Sequence, residues 1–228
     1  MRNQSLTGYA IHQRPYRERS HILHFFSAEC GRVDGVIRQL PPALYHLVSL
    51  NATGKRELKN FNQIDLQGSP FYLQQKSLFA GFYLNELLLK LLAVEVPMPN
   101  TYQAYELALS QLKNLILDDP KELQLKLILR HFEQVLLNEL GYAIDYAYDH
   151  RGQPIQADTY YQFVVKQGFM LDLSGKGFLG KELLVLAENE QVNLQNINLF
   201  GKLYRQMIND ILGNKPLKSR QLWIQHRA

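Results

Sequence analysis

Ser20-His21-Ile22-Leu23-His24-Phe25-Phe26, Ala28-Glu29-Cys30-Gly31 and Arg32-Val33-Asp34-Gly35-Val36-Ile37 follow one another with one residue, Ser27, between the first two. Two runs rich in β-branched and aromatic residues, joined across a turn that ends in glycine, predict a β-hairpin. The pattern continues on both sides. Tyr9 to His12 is a shorter run of the same kind, and Tyr45 to Leu50 is another. Ala52-Thr53-Gly54 then supplies a turn before Glu57 to Leu66, where Leu58, Asn60, Asn62 and Ile64 alternate against Phe61, and Gly68-Ser69-Pro70 closes the region. About five short strands in so little chain suit a small barrel better than an open sheet, because closure removes exposed edges.

The period changes after Pro70. Ser77 to Val94 carries Leu78, Phe82, Leu84, Leu87, Leu88, Leu91 and Leu92 at helical spacing, and Pro97 and Pro99 stop it. Thr101 to Leu117 repeats the pattern. Asp119 as N-cap, Pro120 at the first helical position and Glu122 at the third predict a helix that runs to Leu140 and ends on Gly141. Tyr160 to Val165 and Phe169 to Leu173 read as two strands joined by Lys166-Gln167-Gly168. Helices follow over Gly180 to Ala187 and Gln195 to Leu212, with Gly213 and Pro216 beyond. The expected fold is α+β: a barrel domain over 1–75, then a mostly α-helical domain over 76–228 with a small β insertion at about 142–173.

Composition limits the class. Apolar residues are 46% of the 228 and charged residues 20%, enough for a core and unlike a disordered chain. The longest apolar stretch, Leu78 to Val96, is broken by Asn85, Glu86, Lys90 and Glu95, so no membrane span is expected. Met1-Arg2-Asn3-Gln4-Ser5 has no apolar segment behind its charge, so a cytoplasmic location is expected. The single cysteine, Cys30, cannot make an intramolecular disulfide or a multi-cysteine zinc site. The net charge of +4 is unevenly spread. Residues 1–75 hold nine Lys/Arg against five Asp/Glu, 76–201 ten against fifteen, and 202–228 six against one. Basic ends around an acidic middle attract polyanions through counterion release, or simply solvate the surface.

No catalytic set stands out. Gly175-Lys176-Gly177-Phe178-Leu179-Gly180-Lys181-Glu182 matches G-x-G-x-x-G and part of a P-loop. Glu182, however, stands where a Mg²⁺-ligating Ser or Thr is needed, and no βαβ pattern surrounds the loop, so a glycine-rich turn before a helix is the simpler reading. Asp145, Asp149 and His150 suit a solvated turn. His12, His21, His24 and His46 are scattered over the β region at no ligand spacing, and H-E-x-x-H and G-x-S-x-G are absent. The positive signal is a basic barrel with aromatics: Arg14, Tyr16, Arg17 and Arg19 between the first two strands, Arg32 and Arg38 flanking the third, and Lys55, Arg56 and Lys59 in the next hairpin. Such surfaces bind single strands by stacking bases while cations follow phosphates.

Collectively these pieces resemble the RecO family of DNA repair and recombination proteins. Gly8-Tyr9-Ala10-Ile11-His12-Gln13-Arg14-Pro15-Tyr16-Arg17-Glu18-Arg19-Ser20 looks like that family's first strand and loop, and Gly31-Arg32-Val33 like its first hairpin. Gly81-Phe82-Tyr83-Leu84-Asn85-Glu86-Leu87-Leu88, then Leu129-Arg130-His131-Phe132-Glu133 through Leu140-Gly141-Tyr142, look like its helical signatures. Phe178-Leu179-Gly180-Lys181-Glu182-Leu183 and Leu212-Gly213-Asn214-Lys215-Pro216-Leu217-Lys218-Ser219-Arg220 complete a collinear series.

The resemblance implies an N-terminal OB-fold followed by a helical domain. It implies a non-enzymatic recombination mediator without a cofactor, nucleoid-associated during repair. Such a protein binds and anneals single-stranded DNA and acts with RecR to load RecA onto strands coated by single-strand-binding protein. The expected DNA contacts are Arg14, Arg17, Arg32, Arg38, Lys55 and Arg56 on the barrel, with Lys215, Lys218 and Arg220 at the C-terminal end. The acidic C-terminal tail of single-strand-binding protein is expected on the helix of Arg130, with Leu136, Leu140 and Tyr142 shaping an apolar pocket beside that cation. Two departures stand out. Many relatives carry a four-cysteine zinc site after the Gly-Tyr signature, whereas Ala143 to Gln156 has no cysteine, so hydrogen bonds and aromatic packing must hold the insertion. The loop after the third strand, Arg38-Gln39-Leu40-Pro41-Pro42-Ala43-Leu44, carries one charge where relatives are often strongly basic. That weakness favours an alternative, a protein-interaction adaptor with little intrinsic DNA binding.

Overall fold

The computed structural model describes residues 3–115 and 122–227. Five strands, β1 (Gln4–Tyr16), β2 (Ser20–Ser27), β3 (Gly31–Ile37), β4 (Leu47–Thr53) and β5 (Lys59–Gln67), close into an OB-like barrel in the order β1-β2-β3-β5-β4. Every pairing is antiparallel except β3 with β5. Leu6, Ala10, Leu23, Phe25, Val33, Ile37, Val48, Leu50 and Phe61 fill the interior. The period-two pattern thus marks the core-facing side of the hairpin from which the sequence reading began.

β1 is far longer than the run Tyr9 to His12 suggests, because it serves two neighbours. Gln4–Tyr9 pairs with β4 and Gly8–Tyr16 with β2. To serve both, the strand shifts register between Ala10 and His12, leaving Ile11 as the extra residue of a bulge. The alternation inverts there. Before the bulge Leu6 and Ala10 face the core; after it His12, Arg14 and Tyr16 lie opposite the outward residues of β2.

Helix α1 (Gln75–Leu91) ends three residues earlier than its apolar period implies. β5 pairs with β3 only at Gly35–Ile37, so the start of β3 keeps an open edge. Val94 bridges to Arg32 in parallel there, and the Glu95 N–H donates to the Arg32 carbonyl at 2.7 Å. Helix α2 (Pro99–Lys113) covers apolar residues on the outside of the barrel. Tyr9 meets Tyr105 edge-on at 5.5 Å, Phe26 lies 5.5 Å from Tyr102, and the Tyr9 hydroxyl donates to Glu106 Oε1 at 3.0 Å. A last helix, α6 (Lys218–Arg227), was not expected and packs on α1. Barrel, α1, α2 and α6 form one compact unit, residues 1–117 with 217–228.

Residues 118–216 form the second unit. It contains α3 (Leu123–Glu139), a small sheet of β6 (Tyr160–Val164), β7 (Gly168–Leu171) and β8 (Phe178–Leu179) in the order β7-β6-β8, then α4 (Gly180–Glu188) and α5 (Ile197–Ile211). The expected cap at Asp119 and Pro120 lies outside the described residues. Glu122 stands just before α3 with left-handed backbone (φ 53°), not inside its first turn. The insertion is held by rings: Tyr146 contacts Phe169 and Phe200, and Phe169 contacts Phe163 at 5.3 Å and Phe178 at 6.2 Å. Among the described residues no three His, Cys, Asp or Glu side chains converge as a metal site. No helix among the described residues is long and apolar enough to cross a membrane.

Candidate nucleic-acid interface

The barrel register brings three basic loops to one end. Cross-strand partners run Pro15–His21, His21–Ile37, Ile37–Phe61 and Phe61–Ala52. Arg14 and Arg17 flank the first of these positions, Arg38 follows Ile37, and Lys55 and Arg56 occupy the loop between Thr53 and Lys59. All five side chains are exposed. Arg17 lies over the Tyr16 ring at 5.0 Å, which holds a cation and a half-buried aromatic side by side at the tip of the hairpin.

The other basic residues singled out from the sequence are already engaged. Arg32 forks onto Asp34, with Nη2 to Oδ2 at 2.7 Å, and its Nη1 donates to the Leu89 carbonyl at 2.6 Å at the end of α1. Lys59 is almost fully buried; its Nζ meets Glu95 Oε1 at 2.5 Å and donates to the Arg56 carbonyl at 2.6 Å. Arg220 stacks on Tyr83 at 5.5 Å. These three cations hold the helices or the loop backbone of their own unit, whereas Lys215 and Lys218 are exposed.

The histidines are less scattered than their spacing suggests. His12 and His24 are register partners with ring centroids 5.5 Å apart, and His24 Nδ1 lies 2.8 Å from Asp34 Oδ1. The signal was present as alternation on β1, but only the bulge puts His12 on the same side as His24. Burial pushes the Asp34 carboxyl up, but hydrogen bonds and charge from His24 and Arg32 outweigh it and hold the group below its ordinary value. The carboxyl is therefore ionised and internally neutralised.

In the second unit Arg130 is no solvated charge. Its Nη2 meets Oε1 of the fully buried Glu133 at 2.6 Å, Nη1 reaches the Gly201 carbonyl at 3.5 Å, and only 14% of its side chain is exposed. Leu136 is core, while Leu140 and Tyr142 are half-buried at the end of α3. The arrangement gives a mostly buried cation paired with a buried carboxylate.

The glycine-rich loop is explained by packing. A Cβ on Gly177 would come within 2.1 Å of the Tyr161 carbonyl oxygen, and one on Gly180 within 1.9 Å of that of Gln156, so both glycines permit close backbone approach. Its amides already face an anion. Asp172 accepts from Ser174 N (2.9 Å), Ser174 Oγ (2.6 Å), Lys176 N (3.1 Å) and Gly177 N (2.8 Å). Glu182 turns back to the Leu179 N–H at 3.1 Å. Two carboxylates occupy donors that a phosphate would need.

An OB-like barrel with a basic rim, followed in the chain by a mostly helical unit, defines an α+β protein of the barrel-and-helix class. The family model for the C-terminal part of recombination protein O matches residues 76–221. A DNA repair protein RecO of Pseudomonas putida is 37% identical over 226 residues, with 95% of each chain covered. Those of Pseudoalteromonas translucida and Cellvibrio japonicus are each 32% identical, over 228 and 237 residues, covering 95% and 98% of both chains. The chain belongs to the RecO family, and a role in DNA repair follows from that membership.

Proposed function

We propose that the chain is a recombination mediator that binds and anneals single-stranded DNA on the barrel and receives the acidic tail of single-strand-binding protein beside Arg130. It acts with RecR in loading RecA, in the cytoplasm at the nucleoid, and by holding partners rather than by catalysis. The observation that carries the DNA reading is the convergence of exposed Arg14, Arg17, Arg38, Lys55 and Arg56 on one barrel end. Arg32 and Arg220 serve this surface indirectly, by fixing β3 to α1 and α6 to α1. The alternative of an adaptor with little DNA affinity draws on the loop after β3, where Leu40 is 87% exposed and Arg38 is the only charge.

A salt titration of oligonucleotide binding separates the two. Each phosphate contact on a single strand contributes a slope of about −0.7 in log K against log salt. Lys55→Glu with Arg56→Glu should weaken binding and flatten the slope by about 1.4 if each lysine or arginine meets one phosphate. An unchanged slope removes this loop from the site, and absence of binding at low salt supports the adaptor.

A further inference from the structure

Beyond the Ile11 bulge, His12 and Arg14 stand on one side of β1; Lys218 opens α6, held by Glu86 one turn before Leu89, whose carbonyl Arg32 reaches. All three residues are exposed, and among the described residues no hydrogen bond or ion pair engages their side chains. Their company is unusual in its charge. His12 faces His24 of β2, which in turn meets Asp34 and Arg32 of β3. Arg14 stands two residues along the same side of β1. Lys218 opens α6, whose first amides are held by Glu86 of α1: Lys218 N at 3.0 Å and Ser219 N at 2.8 Å. Two carboxylates of this neighbourhood are therefore already engaged. Asp34 is shared between His24 and Arg32, and Glu86 is occupied by the start of α6 and by Lys90 at 3.0 Å. Among the described residues no salt bridge joins a carboxylate to His12, Arg14 or Lys218.

We infer that His12, Arg14 and Lys218 form a phosphate subsite, through which a single strand bound at the barrel rim continues along β1 toward the start of α6, with His12 binding as the protonated imidazolium. The inference rests on the single-strand reading given above and adds to it a place and a proton. Partial burial, then the charges of His24, Arg14 and Lys218, hold the His12 pKa below its ordinary 6.5 in the free protein. A phosphodiester set among these cations reverses the electrostatic part of that shift, because an anion beside an imidazole favours its charged form. Binding then takes up a proton, and by linkage affinity rises as pH falls, by up to about tenfold per pH unit for one proton.

The experiment is fluorescence anisotropy of the full chain with a labelled oligothymidylate, from about pH 8 down to about pH 5.5, where histidine titrates. The wild type is expected to bind more tightly at the acid end. His12→Gln is expected to lose most of the acid gain, so that its affinity changes far less with pH than that of the wild type. Lys218→Gln is expected to bind more weakly throughout, with a reduced salt slope. A His12→Gln protein that keeps the whole acid gain places the proton elsewhere and overturns the inference while leaving the single-strand reading intact. No binding by the wild type at any pH defeats the single-strand reading itself. A parallel titration with inorganic phosphate, read as displacement of the oligonucleotide, distinguishes the source. Displacement at equimolar phosphate makes this a free-anion site and overturns the inference; displacement only through general screening, matched by chloride at equal ionic strength, supports it.

Discussion

Replacing Glu86 by alanine removes the group that anchors α6 to α1. Glu86 accepts hydrogen bonds from Lys218 N (3.0 Å), Ser219 N (2.8 Å) and Ser219 Oγ (2.6 Å), and pairs with Lys90 at 3.0 Å. It thus caps a helix distant in sequence, as an N-cap side chain caps its own. Loss of such a cap costs about 0.5–2 kcal/mol. The hydroxyl bond adds about 0.5–1.5 kcal/mol and the i,i+4 pair about 0.2–0.5 kcal/mol. With only 12% of the Glu86 side chain exposed, solvent screening removes little of this. The estimate is about 2–3 kcal/mol, which raises the opening equilibrium of α6 roughly 30- to 150-fold. The single tryptophan, Trp223, lies on α6 and meets Phe79 of α1 edge-on at 6.1 Å, so its emission and acrylamide quenching report docking. Hydrogen exchange of the α6 amides gives the free energy. Wild-type protection and quenching in a folded Glu86→Ala protein would refute the reasoning. Acid supplies a second arm. Burial pushes the Glu86 carboxyl up, but hydrogen bonds from Ser219, Lys218 and Lys90 outweigh it and set its pKa below 4.5. The anchoring is therefore complete above pH 4.5 and is lost as pH falls through the lower folded value, a step that Glu86→Gln should abolish.

Arg130→Ala would leave the buried Glu133 without its cation, which costs about 3–5 kcal/mol, so tail binding is better tested with Arg130→Lys. That variant keeps the charge but loses the planar fork, and anisotropy with a labelled tail peptide should show about a 10-fold loss for one weakened charge-assisted bond; full affinity in the folded variant moves the pocket elsewhere. Asp172→Ala should free the amides of Ser174, Lys176 and Gly177, seen as faster exchange at those three positions with the rest of the sheet unchanged. Hydrogen bonds from Ser174, above all from its hydroxyl, hold the Asp172 carboxyl below 3.8, so the wild-type loop should loosen in the same way as pH falls through that lower value; exchange that does not change would mean the carboxylate does not order the loop.

Period and punctuation made the barrel legible. Alternating runs around Gly31 and Gly54 mark β2 to β5, and leucine spacing marks α1, because each side chain there reports only inside or outside. What escaped depended on distant partners. The end of α1 at Leu91 is decided by the open edge of β3, and the length of β1 by two neighbours that no local window contains. β8 is two residues long, below any periodic signal. α6 has few apolar residues, and a basic tail and a docked basic helix look alike until Glu86 and Tyr83 are seen to receive it. The same limit applies to the candidate sites. A sequence shows which residues are cationic, but not that Lys59 and Arg130 already face Glu95 and Glu133 while Arg14, Lys55 and Arg56 face solvent.

The return of α6 to α1 also sets an order of assembly. The bonds from Glu86 to Lys218 and Ser219 span 132 and 133 residues, whereas each pairing within the barrel closes over far shorter stretches. The whole of residues 118–216 lies inside that one loop. Ordering it costs chain entropy before any contact on α6 repays the cost, and long-range closures of this kind are slow. The barrel with α1 and α2 has the local contacts to form early, and residues 118–216 can condense by themselves. Docking of α6 then becomes the closing event, with Trp223 emission as its clock. A destabilised inner unit should slow that last phase while leaving barrel formation at its own rate.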